Sequence, residues 1–493
     1  MKTMVIIGGG VAGLTAGIFA QKNGFSSTIL EKNPIPGGEC TGWDRRGYHI
    51  DGCIHWLMGT DEGSSLNSLW KTVGALEDTE IYHPESFLSF EHETGTVHFC
   101  RDLEKLQRSW TELSPEDEEV ISQFCRVIRQ LHSFTIDVEK PVSMMSIREK
   151  IRYFSSMKDA GMVMKRYGKI SLREYAKRFT HPALRAALTE FLPEGYSSTS
   201  VMFALAAFSK NAASMPMGGS RAFSLRMAER YRELGGTLKT SCEAASLDIS
   251  GSRVSRVICS DGTYFEADYV IAACDASHVL TKLLGGKYQV PAFTKRFKNP
   301  KDYPLASEIL IALGCKGSLE EYPRSMSFAV DPFEIHGKTI ERIKTAHFHH
   351  EPGYAPDGHG VMICDINQFS DDVDAWSALA EDRKTYRKEK QRIAEAVRRA
   401  VESRMPELEV TVLDVVTPKT YERYCNAHRG AFMAFLPTVK GKPMNHTGKI
   451  KGLNNFYLSG QWLQPPGGLP TAVMTGKYSV MYICRQEKQS FIS

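Results

Sequence analysis

No run in this 493-residue chain approaches the ~20 consecutive apolar residues that span a bilayer. The N-terminal apolar run, Met4 to Ile7, is also too short for a secretory h-region. The sequence therefore predicts a cytoplasmic protein that rests on a membrane surface at most. Its eleven cysteines form no C-x-x-C pair, which argues against a zinc site or a disulfide framework and fits scattered free thiols. Charge of one sign is lacking too. Lys plus Arg minus Asp plus Glu is 61 − 57 = +4, too little for a nucleic-acid partner. There are no repeats, no low-complexity segments and no catalytic triad or paired carboxylates. What is present is an ordinary globular composition, 42% hydrophobic and 24% charged, long enough for two or three domains.

Glycine is locally abundant at the N-terminus. Thr3 to Ile7 reads as a buried parallel strand. Gly8, Gly10 and Gly13 then form G-x-G-x-x-G, and a helix through Leu14, Ile18 and Phe19 ends near Asn23-Gly24. Ser27 to Leu30 is a second strand, closed by Glu31. In that context Gly8 permits the turn and Gly10 lets a pyrophosphate approach the backbone. Gly13 lets helix pack on strand, and Glu31 accepts from the ribose hydroxyls. The pyrophosphate belongs at the helix N-terminus, where free N–H groups favour anions. The glycine pair Gly37-Gly38 just beyond favours FAD over NAD, because a second backbone segment approaches the cofactor there. A second Gly-rich unit lies at the far end. Phe456 to Leu458 reads as a strand, Gly460 ends it, Pro465 to Pro470 is a rigid turn, and a helix starts from Thr471.

These segments resemble one family: FAD-dependent phytoene desaturase-like proteins, with carotenoid isomerases and animal retinol saturases as relatives. Five blocks carry the resemblance. They are GGGVAGLTAG with Glu31; GGECTGWDRRGYHIDGCIHWLMG, residues 37–59; MPMGGSRAFSLRMAERYRELGGTLKTSCEAASL, residues 215–247, followed by the run to Asp275; TPKTYERYCNAHRGAFMAF, residues 417–435; and LSGQWLQPPGGLPTAVMTGK. The resemblance implies an α/β fold with an FAD-binding, doubly wound, mostly parallel Rossmann-type domain from residues 1–75, 215–285 and 425–493. A discontinuous α+β substrate domain would then span 76–214 and 286–424, with a helical, lid-like region at 110–210. By similarity, Gly8, Gly10, Gly13, Glu31, Gly37 and Gly38 contact FAD, with Val11, Ala12, Lys32 and Glu39 beside them. Ala244 meets the adenine, and Gly460, Gly468, Leu469 and Pro470 line the pyrophosphate and flavin end. Many relatives carry Arg where this chain has Glu39; a carboxylate beside a diphosphate is unfavourable, so Glu39 is expected to turn away.

The same resemblance places His55 and Trp56 near the flavin ring, with His55 a candidate proton donor or a structural histidine. Trp56, Tyr424, Phe432 and Trp462 are candidates for an aromatic wall facing the substrate, Phe432 being the one more readily read as core. No metal site is expected. The implied reaction is desaturation, saturation or isomerisation of carbon–carbon double bonds in an apolar isoprenoid or lipid. An external electron donor or acceptor turns the flavin over, or the reaction is a redox-neutral isomerisation. A flavin amine oxidase and a non-catalytic binder of the Rab GDP-dissociation-inhibitor type are the alternatives. Residues 144–169 place Ile147, Ile151, Phe154, Met157 and Met164 at helical spacing among Lys and Arg. That stripe is read as packing on the core, with an anionic membrane surface as the other reading. Ser114-Pro115-Glu116 and Ser171 to Glu174 read as helix starts, and Tyr386 to Met405 as a long charged helix.

Overall fold

In the computed structural model, which describes residues 1–193 and 195–493, the two chain ends share one sheet. Its five strands run parallel in the order Thr237–Lys239, Ser26–Leu30, Thr3–Ile7, Tyr269–Ala272, Phe456–Leu458. Central strands of this kind are covered on both faces, which is why Val5, Ile6, Val270 and Ile271 are all buried. The first helix, Val11–Lys22, and the last helix, Gly468–Gln486, pack against each other beside this sheet. Gly476 makes that contact possible: a Cβ there would lie 2.5 Å from the Ala12 carbonyl oxygen. The last helix begins at Gly468 rather than Thr471, since Pro470 in a first turn removes only an N–H that the helix leaves unpaired anyway.

A second, seven-stranded sheet is ordered Glu409–Val416, Ser307–Lys316, His359–Gln368, Lys338–His347, Ser325–Ile335, Ser86–His92, Gly95–Cys100. It is antiparallel except between Met326-Ser327 and Ser89-Phe90. The long charged helix, Arg383–Arg404, packs Ile393, Val397 and Val401 against it. Helices between Leu103 and Ser209 form a separate core around Trp110, Phe124, Tyr175 and Phe179. Within that region the 144–169 segment departs from expectation. It forms two helices, Ile147–Ser156 and Lys158–Tyr167, and the apolar stripe does not reach the core. Ile147 is 78% exposed, Ile151 63% and Phe154 61%. The helix start at Ser171 is weaker than a full capping box: its hydroxyl accepts from the Glu174 N–H, and the helix lasts only from Leu172 to Ala176.

Candidate cofactor and active site

A cavity of about 920 Å³ runs between the parallel sheet, the seven-stranded sheet and the helical region. Two helix N-termini open into it. The first helix starts at Gly10 with no side-chain cap, and Gly10, Val11 and Ala12 line the cavity. The last helix starts after Gly467, also without a side-chain cap, and Gly468, Leu469 and Pro470 line the same space. The Gly468 N–H donates to Gln461 Oε1 at 3.1 Å, so the bare N–H groups that make an anion cradle are those of the first helix's opening turn.

The glycines have distinct causes here. Gly8 adopts φ +102°, in the left-handed region that favours glycine. A Cβ on Gly13 would sit 1.9 Å from the Gly8 carbonyl oxygen, so only glycine lets this helix lie against its strand. Gly37 bridges to Gly10, its N–H donating to the Gly9 carbonyl at 2.9 Å, which brings the second glycine pair onto the first turn. Glu31 is buried and accepts from the Gly9 N–H at 2.8 Å and from the Asn33 N–H and side-chain amide. Ala244 lines the cavity beside Glu243, whose carboxylate is 3.7 Å from the Lys32 ammonium. This pattern of main-chain donors, a buried acid at the end of the second strand and close backbone approach fits FAD. Gly460 receives support from behind, its N–H donating to the Thr475 hydroxyl at 2.9 Å.

Glu39 lies in the cavity wall. Its carboxyl lines the wall, where the Gln461 side-chain amide donates to it at 3.2 Å. Burial, followed by the nearby Asp275, pushes its pKa up to about 8. In its neutral form this carboxyl adds no negative charge to the cavity. Asp275 is likewise pushed up, to about 6, chiefly by burial. It accepts from the His278 and His428 N–H groups, tying the 425–430 segment to the parallel sheet.

The loop carrying His55 and Trp56 is fixed by Asp51, which accepts from the Ser220 N–H and hydroxyl and from the Cys53 N–H. His55 lines the cavity, 4.0 Å from Asp365. Burial lowers its pKa, so the imidazole is neutral at pH 7, a weaker acid than the candidate proton donor role asks for. Trp56 also lines the cavity and packs edge-on against Phe87 at 5.6 Å. Tyr424 lines the cavity at the end that Glu31 occupies, where the Asn33 side-chain amide donates to its carbonyl. One turn earlier, Tyr421 reaches the sheet wall and donates its hydroxyl to Glu308. Trp462 borders the cavity but is buried against Phe297 and Phe435, whereas Phe432, read as core, is a half-buried part of the wall. Sequence reasoning missed Glu308, Arg324, Lys344 and Asp365, which also line the cavity from the seven-stranded sheet.

Comparisons agree with this geometry. The chain is similar to the lycopene-forming phytoene desaturase of Paracoccus sp., at 24% identity over 97% of this chain and 96% of that one. It is 22% identical to the chloroplastic prolycopene isomerase of Arabidopsis thaliana, over 96% of this chain and 81% of that one. Among solved structures, an oxidoreductase from Methanosarcina mazei superposes with a TM-score of 0.61 at 15% identity, covering 97% of this chain and all of that one. A putrescine oxidase superposes with the same TM-score at 13% identity, covering 98% and 99%. These two show the fold. Residues 11–484 match one family over nearly the whole chain. The chain belongs to the flavin containing amine oxidoreductase family and is an FAD-dependent oxidoreductase.

Proposed function

We propose that this enzyme desaturates, saturates or isomerises carbon–carbon double bonds of an apolar isoprenoid or lipid. One observation carries the reading. The cavity that begins at the two helix ends continues into an arm walled by Phe87, Phe134, Phe191, Phe203 and Phe208, a surface suited to a long apolar chain. Bound FAD supplies hydride transfer at its N5. The chain's own residues do the rest. Gly8, Gly10 and Gly13 with Glu31 hold the dinucleotide, and the 456–470 segment closes over its other end. Asp51 fixes the His55-Trp56 loop, and the aromatic arm excludes water from the substrate chain. An external electron donor or acceptor completes turnover. Anaerobic mixing of the purified yellow protein with polyenes and retinoids, read by flavin bleaching and product mass, tests this. A spectral change with a matching product supports the proposal; no change with any lipid overturns it.

The exposed stripe extends the same reading to a membrane surface. Ile147, Ile151, Phe154 and Met162 project outward among the exposed Arg148, Arg152, Lys158 and Lys165, the pattern of an interfacial helix on anionic lipid. Met164 is both exposed and part of the cavity lining, which puts the stripe at a cavity mouth. Co-sedimentation with vesicles, with and without phosphatidylglycerol, checks it. Phe154→Glu together with Ile151→Glu should abolish pelleting; binding that ignores both the anionic lipid and these substitutions refutes the docking.

A further inference from the structure

A cavity meant only for hydrocarbon has no use for charge, yet one wall of this one is charged. The wall is a patch of the seven-stranded sheet. Asp365 and Lys344 stand opposite each other on the paired strands His359–Gln368 and Lys338–His347. Glu308 lies on the neighbouring strand Ser307–Lys316, and Arg324 immediately precedes Ser325–Ile335. All four line the cavity, with His55 facing them from the 51–59 loop.

These groups do not satisfy one another. The Asp365 side chain is only 7% exposed, and its Oδ1 has no hydrogen-bond partner among the described residues. Its Oδ2 is 3.8 Å from the Lys344 ammonium and 4.0 Å from His55 Nδ1, both beyond hydrogen-bond length. Arg324 likewise leaves Nε and Nη2 without partners. Unpaired buried donors and acceptors are costly, so a fold keeps them where something else completes them.

The charge pattern says what that something is. An anionic group would meet Asp365, and a cationic group would meet Lys344 and Arg324. Burial also pushes Glu308 upward, towards a neutral acid. A neutral group that both donates and accepts fits this wall: it donates to the free carboxylate oxygen of Asp365 and accepts from Lys344 or Arg324. We infer that the substrate is an apolar chain ending in a hydroxyl, with the hydroxyl seated among Asp365, Lys344 and Arg324 and the chain lying along the aromatic arm.

This deepens the proposed function and rests on it, since the arm is the substrate arm of that reading. The test uses the FAD-loaded protein and four ligands of one chain length: an isoprenoid hydrocarbon, its primary alcohol, its carboxylate and its amine. Binding is read as quenching of protein fluorescence, to which Trp56 in the cavity wall contributes, and as the shift of the flavin spectrum. The alcohol should bind at least tenfold tighter than the other three. Asp365→Ala should remove that preference and leave hydrocarbon affinity unchanged. Lys344→Met, which keeps the stem and loses the charge, gives a second readout if Asp365→Ala does not fold. Equal or tighter binding of the hydrocarbon, carboxylate or amine overturns the inference, as does an alcohol preference that survives both substitutions. A colourless protein that takes up no FAD would instead count against the flavin reading, and the fluorescence series still decides the hydroxyl question on it.

Discussion

Substituting Gly476 by Ala tests the idea that the two chain ends jointly build the cofactor site. Gly476 lies in the middle of the last helix, where a Cβ would meet the Ala12 carbonyl oxygen at 2.5 Å and the Thr15 Cβ at 2.8 Å. Unstrained contacts of this kind need about 3.5 Å, so the first and last helices must separate by roughly 1 Å. Ala12 is also a lining residue of the cavity, within the first turn that carries the uncapped N–H groups. The displacement therefore reaches the anion cradle itself. Overpacking of a tight contact costs about 1–3 kcal/mol, and if this falls on the bound state the FAD dissociation constant rises roughly five- to 150-fold. Titration of apoprotein by FAD fluorescence quenching measures that, with a thermal-shift series as a check on folding. Gly161→Ala is the control. Gly161 is helical, its Cβ would meet nothing within 4 Å, and it should leave both FAD affinity and stability unchanged or slightly improved. Wild-type affinity in Gly476→Ala, with an unaltered melting temperature, would refute the claim that this contact sets the cradle.

Two further outcomes follow from the site. Glu31→Ala leaves the buried Gly9 N–H unpaired and should destabilise the apoprotein by about 1–3 kcal/mol in urea unfolding while weakening FAD binding; an unchanged midpoint would show that the bond contributes nothing. Glu39 titrates near 8 rather than at its ordinary 4.5, so the neutral form is the one the fold favours. The stability this group contributes is present below about pH 4.5 and is lost as pH rises towards 8. Above 8 the new negative charge also opposes the diphosphate, so FAD affinity should fall between pH 7 and 9.5 in the wild type and stay flat in Glu39→Gln, as read by equilibrium titration at each pH.

Much of the cofactor half was legible because its signals are local. A strand, a glycine turn, a helix and a closing acid occupy 29 consecutive positions from Thr3 to Glu31, and within that unit Gly13 answers to the Gly8 carbonyl. Glu39 was visible as an anomaly, but its resolution was not, since protonation depends on Asp275 and on burial that only folding supplies. The 417–435 block holds both Tyr421 and Tyr424, and three helical residues, about 4.5 Å of rise, separate the tyrosine that reaches Glu308 from the one whose carbonyl meets Asn33. The stripe at 147–164 carried the right periodicity for either destination, because an apolar face has the same spacing whether it packs on protein or is left to solvent.

What the sequence by itself determined is the dinucleotide cradle and the fact that two distant segments serve it. Main-chain hydrogen bonding and the absence of a Cβ act over a few residues and leave a readable pattern. What only the tertiary structure decided is the character of the other wall. Glu308, Lys344 and Asp365 come from three strands whose order in the sheet differs from their order in the chain, and no spacing announces that they meet. Burial and electrostatics depend on distances through space, and those distances exist only once the strands have paired.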